Sequence, residues 1–166
     1  MLLGMSLETF TLVHVLISLV GIGAGFGVLF GLLHSVPSGG WTMLFLASTV
    51  LTSVTGFMFP FTTFLPSHGV AAISVVLLAI ALFALYGRHL EGAWRWIYAV
   101  TAVISLYLNV FVLVVQLFLR VPALKTLAPG GSEPPFAITQ GIVLLAFVAL
   151  TIAAAIKFRP ATVNER

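Results

Sequence analysis

The chain has 166 residues, of which 61% are hydrophobic and 7% are charged, and its formal net charge is +3. This composition leaves too little polar surface for a water-soluble domain. The absence of cysteine excludes thiol catalysis, disulfides, iron–sulfur clusters and covalent c-type haem attachment. With only seven cations, the basic balance does not indicate nucleic-acid binding.

The charged side chains stand at or beyond the ends of five long apolar stretches. These stretches are Phe10–Leu33, Trp41–Pro60, Gly69–Gly87, Trp94–Leu119 and Phe136–Ile156. Each has about 19 to 26 residues, which is the length that an α-helix needs to cross roughly 30 Å of hydrocarbon. Because a chain in lipid must satisfy its own backbone hydrogen bonds, these stretches can only be helices. The sequence therefore predicts an all-α, polytopic bundle of five transmembrane helices in a single domain, residues 1–166.

The first span contains a histidine and several closely spaced glycines. His14 lies about one turn inside the span. The glycines form rows with a spacing of four residues: Gly21 and Gly25, and Gly23, Gly27 and Gly31. Small residues at this spacing let helices approach closely in lipid, where packing holds helices together. They predict close packing within the bundle, with homodimerisation as the alternative.

The second and third spans add hydroxyls and a second histidine. The second span holds six Ser and Thr residues between Thr42 and Thr55. Such hydroxyls can bond to carbonyls of their own helix, so their predicted role is packing. His68 begins the third span, on the same side of the membrane as His14. A neutral imidazole is expected there, since a helix N-terminus disfavours the imidazolium.

The fourth span carries a polar stripe along one helical face. Its members recur at spacings of three, four or seven residues: Tyr98, Thr101, Ser105, Asn109, Gln116 and Arg120. A stripe of this kind is expected to face the bundle interior or a water-filled cavity, because polar side chains turned to lipid have no partners. Hydrogen bonds between helices are the predicted role of Thr101 and Ser105. Asn109 and Gln116 are equally consistent with a ligand pocket.

The connection to the fifth span, Val121–Pro135, is rich in Pro and Gly and predicts an ordered loop rather than a helix. Thr139 and Gln140 follow at the start of the fifth span. By the positive-inside rule, five cations against two place the C-terminus in the cytoplasm and the N-terminus outside. The five are Arg88, Arg95, Lys157, Arg159 and Arg166, and the two are Arg120 and Lys125.

Five polar residues fall near the predicted outer face: His14, His68, Gln116, Arg120 and Gln140. If their helices adjoin, these residues could form one outer-leaflet site. Paired neutral imidazoles could ligate a b-type haem. Alternatively, His, Gln and Arg could hydrogen-bond a quinone and pass protons, because histidine titrates near neutrality. No residues are predicted to be catalytic or to bind a metal ion other than haem iron, since the interior has no carboxylate and no HExxH motif occurs.

Several segments together resemble a group of small bacterial inner-membrane proteins that carry no functional name. These segments are Gly40–Phe61, Pro66–Gly69, Gly92–Gln116, Pro122–Lys125 and Ser132–Phe136. The resemblance covers most of the chain beyond the first span and implies a bacterial inner membrane. The Thr-Gly-Phe run ending at Phe57, with His68 after it, is also similar in architecture to small haem-b-like membrane families. Neither resemblance assigns an activity or a ligand.

The sequence thus predicts a small multi-pass membrane protein whose role is that of a non-catalytic subunit or accessory protein of a membrane complex. Its expected surroundings are the lipid bilayer and either other membrane subunits or further copies of itself. A respiratory or redox complex is the expected setting, with haem b or a quinone held at the outer leaflet. The alternatives are a small transporter or channel that uses the polar stripe, and a purely structural membrane protein.

Overall fold

The computed structural model describes residues 4–36, 39–59 and 66–159, and in these ranges all the elements are helical. The helices are α1 (Leu7–His34), α2 (Gly39–Phe57), α3 (Pro66–Leu82), α4 (Trp94–Arg120), α5 (Pro122–Leu127) and α6 (Pro134–Lys157). A π-helical turn, Phe83–Gly87, continues α3. Pro60, the predicted end of the second span, and Arg166 lie outside the described residues.

Five of these helices are long and apolar enough to cross a membrane: α1, α2, α3 with its π turn, α4 and α6. Their mean hydropathy lies between 1.3 and 2.6. Within the described residues, the prediction of an all-α chain with five helices long and apolar enough to span a membrane is confirmed. The direction in which the chain crosses the membrane stays a prediction.

Helices α1 and α4 occupy the centre of the arrangement. α1 packs against α2, α4 and α6, while α4 packs against α3 and α6 as well. α2 lies between α1 and α3. Their shared core includes Phe45, Leu78, Ala99 and Leu106. α6 is the least covered of the spanning helices, with 6% of its most apolar stretch buried against 44% in α1.

The glycines of α1 permit its close contact with the neighbouring helices. A Cβ atom at Gly25 would lie 2.5 Å from Leu106 Cδ1 and 3.0 Å from Phe45. A Cβ atom at Gly21 would lie 3.0 Å from Ser48 Oγ. Gly23, by contrast, has open space around its Cα. The predicted close packing within the bundle is therefore seen at Gly21, at Gly25 and also at Gly27, where a Cβ atom would lie 2.9 Å from the Trp41 ring, and not at Gly23.

The connection between α4 and α6 differs from the predicted loop, because Pro122–Leu127 forms the short helix α5. Pro122 stands in the first turn of that helix. Proline suits this position, since its missing N–H has no partner in a first turn and its φ angle is already helical. The helix-breaking reading of proline was wrong here because the residue starts a helix rather than interrupting one.

Beyond α6, the chain is tied to the ends of α1 and α4. Phe158 is 1% exposed, and its ring centroid lies 6.0 Å from that of Tyr98. The Arg95 guanidinium donates a hydrogen bond to the carbonyl of Phe158. The Ser35 hydroxyl donates to the carbonyl of Lys157 over 2.6 Å and accepts from the Arg159 N–H over 2.9 Å. These bonds close the bundle at the end where α1 and α6 finish.

Candidate functional site

A hydrogen bond between side chains joins α1 to α2. His14 Nδ1, on α1, lies 2.8 Å from Thr55 Oγ1, on α2. The same hydroxyl oxygen lies 2.7 Å from the carbonyl of Leu51. Thr55 has one hydroxyl proton, and both contacts are satisfied when that proton goes to Leu51 and His14 donates its Nδ1–H. In this tautomer His14 is neutral and Nε2 carries a lone pair.

The polar contact between α1 and α2 continues toward the middle of the bundle. Ser18 Oγ donates to the carbonyl of His14 over 2.7 Å and lies 3.3 Å from Thr52 Oγ1. Deeper still, Asn109 Nδ2 on α4 donates to Thr49 Oγ1 over 3.3 Å. Thr49 is fully buried. Neutral polar groups therefore link α1, α2 and α4. We call these residues the polar seam: His14, Ser18, Thr49, Thr52, Thr55 and Asn109.

In the first part of the polar stripe on α4, Thr101 and Ser105 are hydrogen-bonded to their own helix. Thr101 Oγ1 donates to Ile97 O and Ser105 Oγ donates to Thr101 O, each over 2.8 Å. Both side chains are buried, and Ser105 is fully so. Because each hydroxyl proton is taken by a backbone carbonyl, neither residue offers a free donor to a passing solute.

The second histidine lies on a different side of α2. His68 is 5% exposed, and its ring stacks on Phe57 with a centroid distance of 6.2 Å. The His14 ring meets the edge of Phe59 at 5.1 Å. Both imidazoles thus contact the final turn of α2 or the residues just after it, from the two helices that flank α2.

Gln116 and Arg120 form a pair at the end of α4. Arg120 Nε donates to Gln116 Oε1 over 2.9 Å, and both side chains are exposed. Arg120 also lines an open hollow beside the first turns of α1. His14 is not among the residues that line this hollow, because it lies on the face of α1 that meets α2.

Gln140 connects α6 to α4. Its Nε2 donates to the carbonyl of Phe111 over 3.1 Å. Its Oε1 is buried, and within the described part of the chain this oxygen accepts no hydrogen bond. A buried acceptor of this kind is costly unless water or a ligand reaches it.

The predicted outer-leaflet residues thus bond to different partners. The structure brings Gln116 and Arg120 together, while His14 bonds Thr55 and Gln140 bonds the backbone of α4. Among the residues that are described, no group of three or more His, Asp or Glu side chains could hold a metal ion.

Sequence reasoning missed two residues of this end of the molecule. Thr55 was interpreted as packing, although it is the partner of His14. Glu8, which the sequence analysis does not single out among the charges outside the apolar stretches, shares the hollow with Arg120. The signal for Glu8 was present, since Glu8, Thr11, Leu12 and Val15 recur at helical spacing on one face.

No protein-family model, curated protein or solved structure matches the chain.

Proposed function

We propose that this chain is a non-catalytic subunit or accessory protein of a membrane complex. We place it in a bacterial inner membrane, with its N-terminus outside and its C-terminus in the cytoplasm. The observation that supports this role is that the polar seam and the buried hydroxyls of α4 bond to other helices or to their own backbone. Hydroxyls and N–H groups engaged in this way are not free donors for acid–base or nucleophilic chemistry.

The exposed apolar surface of α6 is consistent with contact to another subunit. Its exposed side chains are large and apolar, with Leu145 71% exposed and Ile142 64% exposed. Helices α1 and α4 cover one side of α6 and leave the rest open. A helix of another subunit could pack on this face in lipid, since van der Waals contact drives such association.

Recovery from native membranes tests this proposal. The full chain, carrying an affinity tag, is crosslinked in its own membrane, solubilised in mild detergent and purified. We expect one membrane protein to co-purify in a fixed molar ratio. An unrelated five-span protein of equal abundance with the same tag is the control. A chain that purifies alone, after crosslinking as well as before, contradicts the proposal.

Reporter fusions test the orientation separately. Alkaline phosphatase is active only outside the cytoplasm, and green fluorescent protein exported through the general pathway does not fluoresce. We expect a C-terminal phosphatase fusion to be inactive and a C-terminal fluorescent fusion to be bright. The reverse pattern would place the C-terminus outside.

A second candidate function, haem b binding at the outer leaflet, is favoured by the hydrogen bond of His14. Ligating histidines characteristically donate their other ring N–H to a fixed acceptor, which sets the tautomer and orients the ring. Thr55 is such an acceptor, and it leaves the His14 Nε2 lone pair available to iron. A quinone has less support from His14, because the Nδ1–H that His14 would donate to a quinone carbonyl is already bonded to Thr55.

A visible spectrum tests the haem candidate. Protein purified from cells supplied with haem should show a Soret band, and His14→Ala should remove or shift it, while His34→Ala should leave it unchanged. A colourless protein contradicts haem binding. Quinone in a solvent extract of that colourless protein, lost in Gln116→Ala, would favour the quinone instead.

The transporter alternative has less support. Thr101 and Ser105, in the first part of the polar stripe that would line the solute path, are buried and donate to carbonyls of their own helix.

A further inference from the structure

An open hollow of about 800 Å³ lies between the first turns of α1 and the last turn of α4. Its walls combine two opposite charges, two hydroxyls and three aliphatic side chains. The lining residues are Leu7, Glu8, Thr9, Thr11, Leu12, Val15 and Arg120. The hollow is separate from the polar seam, which occupies the face of α1 that meets α2.

The two charges are held on different helices. Glu8 is in the first turn of α1, and Arg120 is the last residue of α4. They line the same hollow, yet no ion pair forms between them in the described part of the chain. Arg120 is fixed through its Nε by Gln116, so its terminal amino groups keep their donors for another acceptor. An anion and a cation of one ligand could therefore be bound at the same time.

The aliphatic part of the hollow runs from this charged end along α1. Leu7, Leu12 and Val15 are 50%, 59% and 44% exposed. Leu7 and Val15 are separated by about 12 Å along the helix axis at 1.5 Å per residue. Because α1 is long and apolar enough to span a membrane, we expect this part to lie alongside the acyl chains and its charges to lie at headgroup level.

We propose that this hollow binds a phospholipid that carries both a phosphate and a primary ammonium, as phosphatidylethanolamine does. Arg120 binds the phosphate, Glu8 accepts hydrogen bonds from the ammonium, and one acyl chain lies along Leu12 and Val15. Phosphatidylcholine has no ammonium N–H to donate to Glu8. Phosphatidylglycerol has no cation, so Glu8 repels its phosphate. This inference goes beyond the proposed function and holds whether or not a partner subunit is found.

Native mass spectrometry of the purified full chain tests the proposal. The chain is mixed with the three lipids, matched in acyl chains, and the lipid retained per chain is measured. We expect phosphatidylethanolamine to bind about fivefold more tightly than either of the others, since one headgroup charge contact is worth about that factor. Arg120→Gln should weaken phosphatidylethanolamine and phosphatidylglycerol alike by a similar factor. Lys125→Gln, an exposed cation on α5 that does not line the hollow, should change neither.

Variants of Glu8 distinguish lipid binding at this site from nonspecific lipid binding elsewhere on the chain. Glu8→Gln should abolish the preference for the ethanolamine headgroup over choline. Glu8→Lys should reverse the preference, so that phosphatidylglycerol binds most tightly, and misfolding cannot produce such a gain. Equal retention of the three lipids by the wild-type chain overturns the proposal, as does an unchanged preference in Glu8→Lys or an equal effect of Lys125→Gln.

Discussion

His14 Nδ1 donates a hydrogen bond to Thr55 Oγ1 across 2.8 Å, and this bond fixes the register of α1 against α2. Farther along the two helices, Ser18 meets Thr52 and Gly21 meets Ser48. Each pair takes a later residue of α1 and an earlier residue of α2, as antiparallel neighbours must. The polar bond at the end and the glycine contacts in the middle therefore specify the same pairing.

Thr55→Val should destabilise the bundle, because it leaves the His14 N–H without its acceptor. We expect a loss of roughly 0.6 to 2 kcal/mol in the free energy of unfolding, measured by reversible unfolding in mixed micelles. Thr151→Val is the matched control, since Thr151 donates only to Phe147 O of its own helix. Equal losses in the two variants would show that the interhelical bond contributes nothing.

Gly25→Ala should also destabilise the bundle, by about 1 to 3 kcal/mol through overpacking. The new methyl group would meet Leu106 and Phe45. Gly23→Ala places its methyl in open space, so it should leave stability unchanged or raise it. Adding Leu106→Ala to Gly25→Ala should recover part of the loss if the contact with Leu106 is its cause. A Gly23 variant as unstable as the Gly25 variant contradicts this account.

Phe158→Ala should cost about 3 to 5 kcal/mol, as expected for removal of a buried aromatic ring. Phe158 is 1% exposed, whereas Ile156, two residues earlier, is 62% exposed. Ile156→Ala is therefore the control and should have little effect. The same unfolding measurement applies. A small loss in the Phe158 variant would mean that the residue does not seal this end of the bundle.

Gln140→Leu should stabilise the chain by about 1 kcal/mol. The substitution loses one hydrogen bond to Phe111 O, worth about 0.6 kcal/mol in a membrane protein. It also removes a buried acceptor with no partner, which costs about 1 to 3 kcal/mol. If the variant is instead less stable than the wild type, a bound water or ligand satisfies Oε1 in the membrane.

The turn before α6 should loosen in acid. Backbone N–H groups, first that of Gly130, bond the Glu133 carboxylate and lower the pKa of Glu133 from its ordinary range. A lowered pKa in the folded state means that these bonds stabilise the turn above the ordinary glutamate pKa and are lost as the pH falls through the lowered value. Hydrogen exchange at the Gly130 and Ser132 amides should therefore accelerate in acid relative to the intrinsic rate. Glu133→Gln should abolish this pH dependence.

The five membrane-spanning helices could be predicted from the positions of the charges alone. Lipid leaves a buried backbone no alternative to helical hydrogen bonding, so an uncharged stretch of sufficient length is enough. The predicted hydrogen bonds from Thr101 and Ser105 to other helices were wrong, because each hydroxyl donates to a carbonyl of its own helix, a partner that any helix offers.

The partners of His14 and Gln140 could not be predicted in this way. These partners depend on which helices are neighbours and on how each helix is rotated about its axis. A single sequence specifies neither. The predicted outer-leaflet site required α1 and α3 to adjoin, but α2 lies between them. Helix α5 was missed because proline has opposite meanings at the first turn of a helix and in its interior.

The bond from Ser35 to the carbonyl of Lys157 joins residues separated by 122 positions in the chain. At 5 to 20 residues per second, synthesis delivers Lys157 roughly 6 to 24 s after Ser35. During that interval the α1–α2 hairpin can already pair along its polar seam, while the final turn of α1 still lacks its partners. Completion of this end of the bundle therefore waits until the end of α6 has been synthesised, and a ribosome stalled before Phe158 would leave a paired hairpin with one unfinished end.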